Sequence, residues 1–150
     1  MSHMQFSGIV AEVEVDTDTG EVTVLQVDEV ADDGRTIWYK GEISQIWGGI
    51  IFQVGDAIFE GTIRDEPTGV LLNPNYTFYK LPTFMDCPEM VCNTYNSIET
   101  YGPIGAKGSG EPVMPPTAPA IANAIYNACG ARVYQTHITP DALLAALGKA

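Results

Sequence analysis

Phe6-Ser7-Gly8-Ile9-Val10-Ala11-Glu12-Val13-Glu14-Val15 decides how the chain begins to fold. Ile9, Ala11, Val13 and Val15 fall on one side of an extended segment and Glu12 and Glu14 on the other, the period-two mark of a half-buried strand. The next six residues, Asp16-Thr17-Asp18-Thr19-Gly20-Glu21, are turn formers, and Val22 to Val30 alternates again. The two runs predict a β-hairpin. The turn resembles a calcium loop only superficially, because Glu21 stands where such a loop needs glycine and Val27 where it needs glutamate.

Beyond the hairpin, Asp32-Asp33-Gly34-Arg35 leads into an apolar stripe at Ile43, Ile46, Trp47, Ile50, Ile51, Val54 and Ile58. That spacing predicts a long amphipathic helix. Gly48, Gly49 and Gly55 within it are expected where another backbone packs closely. From Pro67 to Pro116 the chain is a Pro/Gly-rich excursion whose aromatics require burial, with short strands expected near Val70–Leu72 and Met90–Thr94. Thr117-Ala118-Pro119 opens a helix carrying Ile121, Ile125 and Ala128 and ending at Gly130. A short strand is expected at Arg132–Tyr134, then a last helix from Thr139-Pro140 through Leu143, Leu144 and Leu147 to Gly148. Without a βαβ rhythm the class is α+β: an N-terminal β-hairpin, a long amphipathic helix, an excursion with short strands and two C-terminal helices. The apolar helix faces are expected to pack against other chains, or to drive self-association.

Composition narrows the function. The 150 residues suit one domain, and a hydrophobic fraction of 45% can fill a core. Seven basic against 19 acidic residues leave a net charge of −12, which excludes nucleic acid and an anionic membrane surface as partners. No apolar run approaches the roughly 20 residues that span a bilayer. Met1-Ser2-His3-Met4 reads as a remnant of cloning, residues 1–4, which leaves residues 5–150 as the folding unit. Three cysteines without CxxC spacing favour a reducing cytoplasm and are too few for an iron–sulfur cluster. Cys87, Cys92 and Cys129 are expected to be inert, Trp38 and Trp47 to anchor packing and His137 to lie on the surface. The acidic run Asp28, Glu29, Asp32 and Asp33 is expected to form a solvated face.

One segment carries chemistry. Gly102-Pro103-Ile104-Gly105-Ala106-Lys107-Gly108-Ser109-Gly110-Glu111 holds four glycines in nine residues and ends in a carboxylate. Ala106 before Lys107 breaks the Walker A pattern, and a Rossmann turn lacks its βαβ unit. What remains is either a solvated turn or a loop whose backbone approaches a ligand closely and delivers one glutamate.

Several motifs in order carry a resemblance. Asp33-Gly34-Arg35, Ile43-Ser44-Gln45-Ile46-Trp47-Gly48-Gly49, Tyr79-Lys80-Leu81-Pro82, Asp86-Cys87-Pro88, Gly105-Ala106-Lys107-Gly108-Ser109-Gly110-Glu111 and Pro119-Ala120-Ile121-Ala122-Asn123-Ala124-Ile125 are similar to the C-terminal part of one family. That family is the molybdenum-binding subunit of xanthine dehydrogenase and aldehyde oxidoreductase, and the likeness runs from Phe6 to Leu147. It implies that residues 5–150 are the C-terminal segment of a molybdopterin-binding domain. It also implies that Glu111 is the general base, taking a proton from the hydroxyl that attacks the substrate carbon. Gln45, Gly108, Ser109 and Gly110 are implied as cofactor contacts, with no metal ligand among them; Ser44 departs from a position where the family often has glycine. The family subunit is several times longer than this chain. The resemblance therefore implies a fragment or small split subunit of a molybdenum hydroxylase, binding molybdopterin only in the complete assembly. Its partners would be the remaining molybdenum-subunit chain and iron–sulfur and flavin subunits or domains. The alternative is a non-catalytic binding or assembly module derived from the same domain, without cofactor.

Overall fold

The alternating N-terminal runs do form a hairpin. In a computed structural model describing residues 4–112 and 114–149, β1 (Phe6–Val15) pairs antiparallel with β2 (Val22–Asp32). Three of the four residues expected to be a remnant of cloning lie outside the described residues. The turn is closed by Asp16, whose carboxylate accepts the amides of Asp18 at 2.8 Å and Thr19 at 3.2 Å. Gly20 adopts φ +79 and sits against the backbone of Pro140.

The register slips between Glu12 and Val13, leaving Leu25 as an extra residue on β2. This bulge changes the phase of burial, so that Val24 and Val27 both turn inward although they are three apart. Beyond the bulge the inward positions are Val27, Glu29 and Ala31.

Tyr39–Val54 forms helix α1, which begins before the apolar stripe and runs on through a π turn at Gly55–Phe59. Ile43, Ile46, Ile50 and Val54 of its inner face are buried. After the excursion, β3 (Glu89–Thr94) pairs parallel to β2, giving the order β1-β2-β3. No local pattern in the sequence marks this parallel crossover, and the architecture remains α+β. Helix α2 (Thr117–Cys129) lies on β1 and meets α1, burying Ile121 and Ile125. It ends where Gly130, at φ +76, donates its amide to the Tyr126 carbonyl at 2.8 Å. Helix α3 (Pro140–Ala146) is capped by the Thr139 hydroxyl, which accepts the Ala142 amide, and it buries Leu143.

Several expectations are corrected. The strand near Val70–Leu72 is a single bridge between Leu71 and Arg64, closed by a turn from Asp65 to Val70. Buried Asn73 ties this turn down, donating to the Gly61 carbonyl and accepting the Ile63 amide. Arg132–Tyr134 pairs with no strand among the described residues; its alternation arises because Ala131 and Val133 lean on the core. Tyr76, Phe78 and Phe84 of the excursion are exposed, because the core beneath is already filled by β2, α1 and α2. The apolar faces expected to meet other chains are the ones this core uses. Trp38 and Trp47 are also largely exposed, with the Trp38 ring over Gly41 at the start of α1. Gly48 faces open space; among the three helix glycines, Gly49 and Gly55 are the crowded ones.

Gly20 and Gly130 share a left-handed backbone but differ in surroundings. A Cβ on Gly20 would stand 2.4 Å from the Pro140 carbonyl oxygen, whereas one on Gly130 meets nothing within 4 Å. Urea unfolding should therefore show Gly130→Ala losing about 1–2 kcal/mol, the left-handed cost alone, and Gly20→Ala losing clearly more. Equal losses would show that the turn does not rest on α3.

Candidate functional site

The C-terminal end of β2 binds the Gly-rich loop as a further strand would. Gly34 and Ala106 form an antiparallel bridge. The Arg35 amide donates to the Gly105 carbonyl at 2.8 Å and the Lys107 amide to the Asp33 carbonyl at 2.9 Å. Glycine is required at Gly34, which has φ +70 and whose Cβ would fall 2.6 Å from the Gly105 oxygen. Lys107 Nζ also reaches Asp32 Oδ2 at 3.0 Å, with the two side chains only 6% and 16% exposed. Burial raises the Asp32 carboxyl, but the neighbouring Ser97 hydroxyl, the Lys107 ammonium and the Gly34 amide outweigh it. Asp32 therefore lies below the ordinary carboxylate range.

From this anchor the loop crosses the outer surface of α1. Gly110, at φ +86, sits against Gln45, so that a Cβ there would be 3.3 Å from both Cβ and Oε1 of Gln45. One turn further along α1, Gly49 leaves room for the same segment: its Cβ would stand 2.9 Å from Met114 Cβ and 3.6 Å from the Gly110 oxygen. The helix glycine expected to permit close approach is thus the one beneath the loop. Ser109 is half-buried, its hydroxyl shielded from solvent and without a hydrogen-bond partner. Gly108 is exposed beside the Gln5 amide, and Glu111 is exposed where the loop ends. The structure therefore brings Gln45 to Gly110 and places Gly108, Ser109 and Glu111 along the same crossing. An exposed amide, a hydroxyl and glycine backbone amides can hold the polar edge or oxygens of a ligand, and a carboxylate beside them can take a proton. Among the described residues no group of three or more His, Cys, Asp or Glu could hold a metal ion directly.

Two residues of the expected solvated face are not solvated. Glu29 is 1% exposed and Asp33 3% exposed, and neither carboxylate has a hydrogen-bond partner. Glu29 lies on the inward face of β2 after the bulge with Val27 and Ala31, and Asp33 follows in the same phase just beyond the strand's end. Burial pushes the Glu29 carboxyl up to about 7 from an ordinary 4.5, with the nearby Asp33 adding to the rise. Burial raises Asp33 as well, tempered by the Ser109 hydroxyl, which stands near it outside full hydrogen-bond geometry. Glu42 on α1 is raised by burial in the same way, tempered by Thr36. Cys92, paired with Glu29 across the sheet, is pushed up to about 11 by burial and then by the Glu29 charge, which makes its thiol unreactive. Sequence reading missed this acidic floor because it counted the four acids as a run. Following strand phase through the bulge would have placed Glu29 inside.

Comparison with known proteins identifies the family. The family model described as "Molybdopterin cofactor-binding domain" matches residues 1–88. A putative xanthine dehydrogenase molybdenum-binding subunit of Escherichia coli (strain K12) is 34% identical over 129 residues, covering 86% of this chain and 17% of that protein. An aldehyde oxidoreductase molybdenum-binding subunit of the same organism is 35% identical over 140 residues, covering 93% of this chain and 19% of its own length. The solved aldehyde oxidoreductase from Desulfovibrio gigas superimposes with a TM-score of 0.84 at 31% identity, covering 96% of this chain and 15% of that one. The chain thus spans less than a fifth of the length of these relatives.

The buried Glu29 makes stability depend on pH. Folding raises its pKa, so the folded state keeps a proton that the unfolded chain releases above about 4.5. The parent therefore loses stability from this group as pH rises from 4.5 to about 7. Glu29→Gln removes the effect. Its stability relative to the parent should be greater at about pH 8 than at about pH 4 by on the order of 3 kcal/mol, measured by urea unfolding. An unchanged difference between the two pH values would mean that Glu29 is solvated.

Proposed function

Because the chain belongs to the molybdopterin cofactor-binding domain family of xanthine dehydrogenase and aldehyde oxidoreductase molybdenum-binding subunits, we propose that it forms one wall of that cofactor's pocket and supplies the general base. The observation that carries the reading is the seating of Gly110 on Gln45, which lays the Gly-rich loop across α1 with Glu111 at its end. The residues fit such a group. Ser109 offers a shielded hydroxyl that stands near Asp33 without full hydrogen-bond geometry, and Gly110 leaves bare the space beside Gln45 that a Cβ would fill.

In this reading the Gln45 amide, which both donates and accepts, holds a polar edge of the cofactor, while Ser109 and the amides of Gly108 and Gly110 donate to its oxygens. When bound, the molybdenum cofactor supplies the two-electron acceptor and lowers the pKa of a water. Glu111 takes the proton of the attacking hydroxyl, and its exposed position at the loop's end gives it access to substrate. This surface is one wall only, so cofactor retention requires the rest of a molybdenum subunit, and the electrons pass on to iron–sulfur and flavin partners.

Among the described residues the cysteines are free and no helix is long and apolar enough to cross a membrane. Free thiols suit the reducing cytoplasm that we propose as its location. A second reading, a non-catalytic assembly module, draws on the exposed apolar side chains. Phe84, Met85, Tyr134 and Ile98 are each at least 92% exposed, which favours a surface normally covered by a partner or a second copy.

In the complete enzyme, Glu111→Gln should keep molybdenum content while steady-state turnover falls by about 10²–10⁴-fold, the usual loss of a general base. The exposed Glu89→Gln is the silent control. Turnover of Glu111→Gln within about threefold of the parent would remove the base assignment and favour the assembly module. The purified chain alone should contain no stoichiometric molybdenum by elemental analysis and should self-associate in sedimentation. Stoichiometric metal would show that the wall suffices by itself, and a monodisperse monomer would count against a covered apolar surface.

A further inference from the structure

We propose that Asp32 and Lys107 form a buried latch that positions the Gly-rich loop, and through it Glu111, against α1. Both are positioning residues, and the inference rests on the functional reading above for what the loop delivers. The loop needs holding. Ile104, a β-branched residue, is at φ +54, and Gly105 follows at φ +82. A β-branched side chain in the left-handed region is strained and persists only where its surroundings over-determine it.

Those surroundings are few. The Arg35 and Lys107 amides hold the backbone on either side of the Gly34–Ala106 bridge, and the Lys107 ammonium, 3.0 Å from Asp32, is the one ion pair joining the loop to β2 among the described residues. The chain has only 7 basic residues against 19 acidic, yet one lysine is sunk to 6% exposure here. An ion pair so buried is weak evidence for stability, since desolvation offsets its attraction; fixing register is its best-attested use. Here it fixes which loop residue lies opposite Gly34. Sliding the loop by one residue would move Gly110 off Gln45 and Ser109 off Asp33, and shift Glu111 with them. The electrostatics agree, because the Asp32 carboxyl is held below its ordinary range where the nearby Glu29 and Asp33 are raised.

Hydrogen exchange on this chain tests the latch without any cofactor. In Lys107→Met and Asp32→Asn, the amides at positions 35 and 107 should exchange at least about tenfold faster than in the parent, while the Ile125 amide in α2 stays within about twofold. Lys107→Arg should return both of these amides to the parent rate. In the complete enzyme, Lys107→Met should lower kcat about 10–100-fold with KM held within about twofold, and Lys107→Arg should restore it. Loop amides unchanged in both neutral variants, or acceleration shared equally by Ile125, would overturn the latch, as would a kcat loss that Arg does not rescue. If exchange behaves as expected but Glu111→Gln is silent, the latch stands and the assignment of Glu111 falls.

Discussion

Two backbone hydrogen bonds, from Arg35 to the Gly105 carbonyl and from Lys107 to the Asp33 carbonyl, make a loop late in the sequence a continuation of a strand formed early in it. Everything at the site follows from this pairing. It requires Gly34, since any side chain there would strike the Gly105 oxygen. It sets the direction in which Gly108, Ser109 and Gly110 leave the sheet, and so carries them over α1 at Gln45. Gly49 leaves room on α1 beneath Met114 and Gly110. Three glycines on three elements thus permit one crossing, which seats Gly110 on Gln45, turns the Ser109 hydroxyl in toward Asp33 and leaves Glu111 exposed at its end.

Beneath the crossing the core breaks the ordinary rule of binary patterning. Glu29 and Asp33 stand where Val27 and Ala31 predict apolar residues, and Glu42 faces inward from α1. Burial disfavours the charged form of each of these carboxyls and holds all three above their ordinary range, with Asp33 adding to the rise of Glu29 and Glu42. Such violations cost stability and tend to occur near functional sites. Lys107 pairs directly with Asp32, and that carboxyl is held low, whereas its more distant charge only tempers the rise of Asp33.

Much of this was legible in the residues. The hairpin, the inner face of α1 and both C-terminal helices follow from periodicity and capping, because local chemistry decides them. Ile43, Ile46 and Ile50 announce their burial by spacing alone, and Gly130 and Thr139 mark helix ends. What was hidden depends on pairing over distance. Nothing near Glu89–Thr94 says that it lies parallel to β2. Nothing near Arg132–Tyr134 says that it finds no partner. The bulge at Leu25 shifts strand phase by one, and with it the fate of Glu29. At the site, Gln45, Gly108, Ser109, Gly110 and Glu111 came from resemblance to a family, whereas the seating of Gly110 on Gln45 comes from the fold. Asp33, Gly49 and Lys107 stand in the motifs that carry the resemblance but take no site role from it, since each matters through a neighbour distant in sequence.

The central claim is that the fold itself, before any cofactor binds, assembles Gln45 and the Gly-rich loop on one surface. The most direct measurement is nuclear Overhauser spectroscopy on the chain in solution, reading cross-peaks between the Gly110 α protons and the Gln45 side chain. The account predicts that these cross-peaks are present, together with ones between the Gly34 α protons and the Lys107 side chain, which the same pairing brings together. Their absence, in a chain whose β1–β2 cross-strand peaks are intact, would mean that the loop is not seated by β2, and the site would not be preformed.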